Sequence, residues 1–328
     1  MRSGGFIISL DFELYWGIGD HIDYQNYREY FDNTLSTIPK ILQVFRSYNI
    51  NCTWATVGML WNKNWILWEE NKPLLLPEYK NLKLSNYNLS KKINKKVVHE
   101  RHFFALDLIE KIKNTPGQEL ATHTYGHYYC NEAIVNNKVL AADLERAHKM
   151  AQQTNIKLRS IVLPRNQFVE ATLETLREQN ILTVRSNPNV WYWKLSRQHK
   201  FSSKIARLID SYTSFFTIKS YPWKQLEFKG GLLLQPASRF LRPVTKKIIL
   251  LDRLKINRIK KEMSYAAKNG ELYHLWWHPH NFAVHPISAL KELEEILEHF
   301  KYLEKRFGFR SYNMAGLLEE VKNETQHE

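Results

Sequence analysis

Residues 118–127 read QELATHTYGH, a strand-like stretch that runs directly into polar side chains. The same arrangement recurs where other apolar, β-rich runs end in DFE at 11–13, PRNQ at 164–167 and HPHN at 278–281. Helical periodicity follows most of these runs. The pattern predicts repeated strand-then-helix units, with chemically capable side chains concentrated at the carboxyl ends of the strands.

Seven strands are predicted, at 6–10, 52–57, 118–122, 158–163, 181–185, 231–235 and 271–277. Helices are predicted at 34–48, 139–154, 171–179 and 287–306, with a basic helix in the stretch 239–261. Such alternation is typical of parallel strands joined by right-handed crossovers. We therefore expect an α/β fold: a distorted, partly closed (β/α) barrel of about seven parallel strands, with 1–328 as a single domain.

Two long stretches, at about 59–100 and 187–230, interrupt the alternation and are expected to be insertions. Both are rich in tryptophan. Aromatic side chains can stack on sugar rings, but in insertions they more often build a satellite core, which is the favoured interpretation for most of them.

The carboxyl ends of barrel strands form one face, where catalytic groups collect. His123 and His127 are four residues apart, so a helical turn after the strand would let them share one metal ion. Asp11 and Glu13 are two residues apart in an extended segment and would face the same way. One carboxylate can complete a three-ligand site that suits Zn²⁺, while the other takes a proton from metal-bound water.

Each residue also has a simpler explanation. A lone His at a strand end is usually a hydrogen-bonded packing residue, a lone Asp a turn former, and Arg165 a surface ion-pair partner. A metal set of His123, His127 and Cys130 is a further alternative, but it leaves Asp11 and Glu13 unexplained. The coincidence of all these residues at strand ends favours a site.

These residues resemble the motifs of the polysaccharide deacetylase family, carbohydrate N- or O-deacetylases with the NodB-homology fold, a distorted (β/α) barrel. His123-Thr124-x-x-His127 fits the family's His-Ser/Thr-x-x-His metal motif. The segment SLDFE at 9–13 is similar to the first motif in its Asp-x-Asp/Glu form. The resemblance implies that Asp11 is the catalytic base, that Glu13, His123 and His127 are metal ligands, and that the cofactor is a divalent metal, most suitably Zn²⁺.

Pro164-Arg165 is similar to the family motif that contains Arg and Pro, although the order is reversed. The resemblance implies that Arg165 holds ionised Asp11 by a charged hydrogen bond. His278, followed by Pro279, is similar to the last motif and implies a general acid. His274 and His280 compete for that role, but His274 lies inside the predicted strand and His280 lies past a proline. The remaining motif has no match, so substrate-binding residues are left unassigned.

The net charge of +14 predicts an anionic partner. Basic and apolar residues are interleaved between 239 and 261, which suits contact with an anionic membrane or a lipid-phosphate carrier, or simply a solvated amphipathic helix. No nucleic-acid-binding motif is recognised, so nucleic acid is not expected.

We see no export signal or membrane span, and two cysteines make no disulfide framework, so we expect a cytoplasmic protein, with peripheral contact at the inner membrane face as an option.

Taken with the resemblance, these features imply a metal-dependent hydrolase that removes an N- or O-linked acetyl group from a sugar unit. The expected substrate is an acetylated sugar or polysaccharide precursor in surface-polysaccharide biosynthesis. Two alternatives stay open: a noncatalytic carbohydrate- or lipid-carrier-binding protein on the same barrel, and a glycoside hydrolase that uses a carboxylate pair.

Overall fold

The strands form one curled sheet. The computed structural model describes residues 2–134, 136–167, 169–188, 190–194, 196, 200–213, 218–245 and 249–325. Within these residues the strands are β1 (Gly5–Phe12), β2 (Cys52–Thr56), β3 (Gln118–Thr122), β4 (Ser160–Ile161), β5 (Thr183–Ser186), β6 (Glu227–Lys229), β7 (Leu232–Pro236), β8 (Arg239–Phe240), β9 (Leu272–Trp277) and β10 (Arg310–Tyr312). Their order is β6-β7-β5-β4-β3-β2-β1-β9-β8, and β10 pairs with the first residues of β1.

The α/β class and the distorted barrel are confirmed. All seven predicted strands are present, as β1, β2, β3, β4, β5, β7 and β9. Every pairing is parallel except that of β6 with β7. The prediction missed β6, β8 and β10, which are two or three residues long and give no periodic pattern. The two-residue β4 was found because it lies within the longer apolar run 158–163. The single-domain organisation and the bounds of the two insertions stay predictions.

Helices follow most of the strands along the chain. They are α1 (Tyr15–Ile18), α2 (Arg28–Ser47), α3 (Trp65–Glu70), α4 (Asn86–Lys92), α5 (Leu106–Lys113), α6 (Asn137–Gln152), α7 (Leu173–Glu178), α8 (Phe201–Tyr212), α9 (Ile249–Asn269), α10 (Pro286–Phe307) and α11 (Met314–Thr325). The predicted basic helix is wrong in its first part. Residues 239–240 form β8, and Pro243 disfavours helix at the residue before it, while Lys246, Lys247 and Ile248 lie outside the described residues.

One continuous stretch of chain, residues 232–240, joins the two sides of the curled sheet. Its first part is β7, which pairs with β5, and its last part is β8, which pairs with β9. Between them the Ala237 N–H donates to the Ser186 carbonyl and the Ser238 N–H donates to the His274 carbonyl, each at 2.8 Å. The chain therefore closes the gap between β5 and β9 near the carboxyl ends of the strands.

The amino-terminal end of the barrel is filled by the start of α11. The Met314 N–H donates to Thr53 Oγ1 at 2.7 Å and the Ala315 N–H donates to Glu119 Oε2 at 3.0 Å. Met314 and Ile7 are fully buried in the same small apolar cluster. Because this end is filled by apolar side chains, the polar groups of the interior lie toward the opposite, carboxyl-terminal end.

The segment that follows β2 supports the loop that follows β3. Backbone N–H groups of Gly58 and Met59 donate to the carbonyls of Thr124 and Tyr125 at 2.9 and 3.0 Å. The tryptophans of this segment (Trp61, Trp65 and Trp68) are buried in the main core rather than in a separate one. The long stretch after β2 thus supports one of the strand-end loops.

No helix among the described residues is long and apolar enough to cross a membrane.

Helix α9 is anchored to β8 and β9 by a buried ion-pair network. Glu262 is fully buried and accepts hydrogen bonds from Arg239 at 2.6 and 2.7 Å and from the Tyr273 hydroxyl at 2.9 Å. The guanidinium of Arg258 lies 3.2 Å from the same carboxylate. Several cations of the basic stretch therefore face inward and are paired.

We expect Glu262→Ala to lower the free energy of unfolding by about 3–5 kcal/mol, because two buried guanidinium groups lose their nearest carboxylate. Glu295→Ala, which breaks a half-exposed pair with Lys260, is the matched control and should cost less than about 1 kcal/mol. Urea denaturation followed by tryptophan fluorescence measures both. Equal, small changes in the two variants would contradict the structural role of this network.

Candidate active site

Strand β1 brings two carboxylates to the carboxyl-terminal face of the sheet. Ile7, Ser9 and Asp11 alternate along one face of the strand, and Glu13 follows just beyond its end. Asp11 is 3% exposed and Glu13 is 4% exposed, so both carboxylates are removed from bulk water. A Cβ on Gly17 would lie 1.8 Å from Glu13 Oε2, so glycine at that position leaves the room that the carboxylate fills.

Three potential metal ligands meet beyond β1 and β3. Glu13 Oε1 lies 2.9 Å from His123 Nε2 and 3.2 Å from His127 Nε2, and all three side chains are buried. Neighbouring ligand atoms of a tetrahedral Zn²⁺ are about 3.3 Å apart when each bond is about 2.0–2.1 Å long. Two imidazoles and one glutamate are also a donor set that catalytic zinc sites use. The residues present therefore fit the metal that the resemblance implies.

The protonation states of these ligands also suit a metal. Burial by itself raises the pKa of Glu13, but the charge of His278 and the hydrogen bonds from His123 and His127 outweigh it and hold the pKa well below its usual range. Burial lowers the pKa of His127 in spite of the opposing effect of Glu13. Near neutral pH, Glu13 is therefore a carboxylate and His127 is neutral, the forms that bind metal ions.

The two histidines converge through strained backbone rather than through a helical turn. Thr124 and His127 have φ values of 63° and 58°, in the left-handed region. The Thr124 hydroxyl accepts the Tyr128 N–H at 2.7 Å, which stabilises this conformation. The expected helical turn is thus wrong, although the histidines do meet. Left-handed backbone at non-glycine residues is unfavourable and concentrates at functional sites.

Asp143 of α6 fixes the same loop from behind. Its fully buried carboxylate accepts the N–H groups of Tyr125 and Gly126 at 2.5 and 2.8 Å. Burial raises the pKa of Asp143 to about 7, and the two N–H donors only partly offset this effect. A Cβ on Gly126 would lie 3.0 Å from Asp143 Oδ2, so glycine permits this close approach. The loop is held between α6 and the segment after β2.

Arg185 of β5, not Arg165, holds Asp11. Its Nη1 and Nη2 atoms donate to the two oxygens of Asp11, each at 2.7 Å. The same guanidinium donates to Asn166 Oδ1 at 2.7 and 3.0 Å and to Ser9 Oγ at 2.9 Å. It also lies over the Trp276 ring, with its Cζ 4.4 Å from the centroid. A bidentate pair of this kind is strong and fixes the orientation of the carboxylate.

The prediction that Arg165 contacts Asp11 is wrong. Arg165 lies in a short turn with a left-handed φ of 56°, and its guanidinium pairs with Asp20 and Glu132, each at 3.1 Å. It remains on the wall of the cavity described below. The missed residue, Arg185, could have been found as the one charged residue of the predicted strand 181–185, because arginine is rarely buried without a partner.

His278 faces both carboxylates. Its Nε2 lies 3.7 Å from Asp11 Oδ2 and 3.6 Å from Glu13 Oε1, and its side chain is partly exposed. His274 and His280, the two alternatives to His278 as the general acid, are both buried. Burial and the nearby His278 lower the pKa of His280 to about 3, while burial and Arg185 hold the pKa of His274 well below its usual range. Both are therefore neutral near pH 7 and hold no proton to give as an imidazolium.

These groups line a cavity of about 370 Å³ at the carboxyl ends of the strands. Asp11, Glu13, His127 and His278 are on its wall, and Arg165 contributes to the rim. Trp193, Phe240 and Trp276 supply aromatic surface. Apolar rings around a few convergent polar groups are typical of a small-molecule site.

Other groups of potential ligands are less suited to the role. Among the described residues, Glu13, His278 and His280 also lie close enough to share an ion, and they line the same cavity. Asp32, His99 and His102 form a second cluster elsewhere, but Arg101 already pairs with Asp32. The alternative that includes Cys130 finds no such cluster among the described residues, and burial raises the pKa of its thiol to about 12.

Comparison with known proteins supports the fold but not a particular activity. No family model and no curated protein sequence matches the chain. A structure from Mycobacterium smegmatis described as a polysaccharide deacetylase covers 99% of this chain and 92% of its own, with a TM-score of 0.59 and 12% identity. One from Pseudomonas aeruginosa with the same description covers 96% and 89%, with a TM-score of 0.55 and 8% identity.

The structure of the PuuE allantoinase is also similar to this chain. It covers 91% of this chain and 84% of its own, with a TM-score of 0.55 and 10% identity. The chain thus has the fold of polysaccharide deacetylases, and the resemblance seen in its motifs extends to its architecture. Because an allantoinase shares that architecture, the fold does not determine the substrate.

We expect Asp143→Asn to weaken metal binding by about 10–100-fold, because an amide offers one acceptor oxygen where two backbone N–H groups need partners. Glu145→Gln, an exposed neighbour on α6, is the matched control and should leave binding unchanged. Titration with Zn²⁺ against a competing chelator measures both. Equal affinity in the two variants would show that Asp143 does not support the ligand loop.

Proposed function

We propose that the protein is a metal-dependent hydrolase that removes an N- or O-linked acetyl group from a sugar unit. The observation that carries this proposal is that Asp11, Glu13, His127 and His278 line one cavity. His123 completes the ligand group with Glu13 and His127, and Arg185 holds Asp11. Separate strands, β1, β3, β5 and β9, supply these residues or the loops that hold them. The fold shared with polysaccharide deacetylases is consistent with this chemistry.

Glu13, His123 and His127 would hold the divalent metal, for which Zn²⁺ is the best match to two imidazoles and a carboxylate. A bound metal of this kind polarises a carbonyl and lowers the pKa of water. All three ligands are buried, and Glu13 and His127 line the cavity that the substrate would enter.

Asp11 would act as the base. Its carboxylate lies beside Glu13 and is fixed by two hydrogen bonds from Arg185, which leave little freedom to rotate. Arginine stays charged at all relevant pH values, so Asp11 has a permanent cationic partner. Asp11 would take a proton from the water that attacks the acetyl carbon.

His278 would act as the acid. Among the three histidines of β9 and the turn after it, it is the partly exposed one, and its Nε2 faces the cavity near both carboxylates. As the bond from the acetyl carbon to nitrogen or oxygen breaks, His278 would protonate the departing amine or hydroxyl. Water addition and this protonation together yield acetate and the free sugar.

A glycoside hydrolase is less well supported, because that reaction needs one carboxyl group that keeps its proton. The pKa of Glu13 lies well below its usual range, and Asp11 is paired with a permanent cation. A noncatalytic binding protein on the same barrel remains the competing hypothesis. It predicts sugar binding without acetate release when Zn²⁺ is supplied.

We further propose a role in surface-polysaccharide biosynthesis inside the cell, with an acetylated sugar or polysaccharide precursor as substrate. Both cysteines are buried and free, which is consistent with a reducing compartment. Contact with an anionic membrane or a lipid-phosphate carrier is part of the same proposal.

Asp11→Asn is expected to abolish acetate release while keeping near-stoichiometric Zn²⁺, because the base is lost and the ligands are intact. His123→Ala should lose both metal and activity. Elemental mass spectrometry and an acetate assay on a panel of acetylated sugars measure these effects. An active Asp11→Asn variant would rule out the assigned base, and a protein that binds no Zn²⁺ would favour the binding-protein hypothesis.

Arg185→Gln should lower kcat by about 100-fold, because Asp11 loses the group that fixes its orientation. Arg165→Gln is the matched control and should lower kcat by less than about 10-fold, since Arg165 pairs with Asp20 and Glu132 instead. Steady-state kinetics of acetate release distinguish the two. The reverse order of effects would restore Arg165 as the partner of Asp11.

A further inference from the structure

A second, larger cavity opens beside the candidate active site. Its volume is about 640 Å³, and it shares Trp193, Phe240 and Trp276 with the first cavity. The two cavities also share His21, Arg165 and Arg207. The other residues of the larger cavity come from α8, from Lys219 after it, and from the stretch 238–242. The two cavities are therefore neighbouring parts of one depression, large enough for more than a single sugar ring.

The wall of this cavity is strongly basic. Its charged residues are six cations and one carboxylate, that of Asp210. Asp210 is already paired with Lys219 and Arg239, and Glu262 also pairs with Arg239. Arg165 is paired with Asp20 and Glu132. Lys204, Arg207 and Arg242 supply the other positive charges of the wall.

Arg242 is the central member of this group of three. It is half-buried, and its Nε donates to Ser211 Oγ at 2.6 Å. No described carboxylate lies within ion-pair distance of its guanidinium. Burial lowers the pKa of Arg242, with Arg239 adding to the effect. Lys204, on α8 one turn before Arg207, is exposed at the rim.

Arg207 lies close enough to Arg242 to feel its charge. Burial lowers the pKa of Arg207, and repulsion from Arg242 lowers it further. The Arg207 guanidinium lies 5.1 Å from the centroid of the Trp193 ring, on the wall shared by the two cavities. The Arg207 Nε also donates to the Ser203 carbonyl at 3.1 Å, which fixes the guanidinium on this wall. Two neighbouring guanidinium groups on a concave wall attract anions.

We propose that this basic cavity binds a phosphate or diphosphate group attached to the acetylated sugar, while the acetyl group reaches Asp11 and His278. This inference rests on the proposed function. Guanidinium groups bind phosphate oxygens in pairs, and an ammonium at the rim adds a point charge. The aromatic rings of the shared wall provide flat apolar surface for the sugar between the two ends of the substrate.

A sugar diphosphate can come from two sources, a nucleoside diphosphate sugar or a lipid-linked diphosphate sugar. Both present the same diphosphate to the basic cavity and differ only in what lies beyond it. The substrate assay therefore has three arms: the acetylated sugar on a nucleoside diphosphate, the same sugar on a short-chain polyprenyl diphosphate, and the neutral sugar.

The first experiment measures binding of inorganic pyrophosphate by calorimetry. We expect Arg242→Gln and Lys204→Gln each to weaken binding, the former by about 10-fold or more, because each removes a charged partner of the anion. Arg253→Gln, an exposed arginine on α9, removes the same charge outside this cavity and should change affinity less than 2-fold. Because Lys204 is exposed, its variant tests the site even where Arg242→Gln perturbs folding.

The second experiment measures acetate release from the three substrates. We expect kcat/KM to be at least 10-fold higher for a diphosphate-linked sugar than for the neutral sugar, with a higher KM for the linked sugar in Arg242→Gln. The linked substrate with the higher kcat/KM shows whether the diphosphate belongs to a nucleotide or to a lipid.

The two proposals can fail separately. Acetate release from the neutral sugar, with no pyrophosphate binding or with equal weakening in Arg253→Gln, would overturn the basic site and leave the hydrolase. Pyrophosphate binding that Arg242→Gln weakens, with no acetate release from any substrate, would retain the anion site and overturn the proposed reaction.

Discussion

Two carboxylates two residues apart, Asp11 and Glu13, are buried at the end of β1, and each needs a positive or hydrogen-bonding partner there. A buried carboxylate without one would carry a large desolvation penalty or take up a proton. The chain meets this requirement with two different partners. Glu13 has a pair of imidazoles, which a metal ion can also use, whereas Asp11 has a guanidinium, which cannot bind a metal.

Because Glu13 is held by imidazoles and Asp11 by a guanidinium, different backbone segments have to be held in place for each carboxylate. The imidazoles reach Glu13 because Thr124 and His127 adopt left-handed conformations, and Asp143 holds the N–H groups of the loop between them. The guanidinium reaches Asp11 because Arg185 lies on β5, across the barrel from β1, and points inward. The long segment after β2 then has a structural purpose, since its backbone holds the other side of the histidine loop.

The sequence was sufficient for seven of the ten described strands and for the meeting of the two histidines, but not for β6, β8 and β10 or for Arg185. The β/α alternation is repeated along the chain, and the spacing of His123 and His127 is visible in ten residues. The partner of Asp11 depends instead on which strands face each other across a curled sheet, and this is a property of the closed fold. Arg165 was a reasonable expectation because it follows a strand end beside a proline, but its left-handed turn directs it to Asp20 and Glu132.

The basic stretch at 239–261 is a second case in which the partners of charged side chains could not be predicted from the sequence. A net positive charge and a run of cations predict an anionic partner. They do not show which cations bind that partner and which ones stabilise the fold through buried ion pairs. In the structure, Arg239 and Arg258 are buried against Glu262, and Lys255 is buried against Glu292. Arg242 is left on a cavity wall. The burial and pairing of each side chain, which the sequence does not contain, separate the two roles.

The two cavities share part of their wall, including Arg207, but the charged groups that they do not share come from different parts of the chain, which has a consequence for specificity. The carboxylates, imidazoles and Arg185 come from β1, β5 and the loop after β3, whereas Lys204 and Arg242 come from α8 and the segment after β8. Changes in the outer segments can alter which group is accepted beyond the sugar without disturbing the charges around Asp11 and Glu13. The aromatic residues Trp193, Phe240 and Trp276 belong to both walls, so they set the distance between the two ends of a bound substrate. Under the proposed function, an acetylated sugar of the wrong length or linkage would reach one cavity but not both. The spacing between the cavities would then select the substrate, while the inner cavity would determine the reaction.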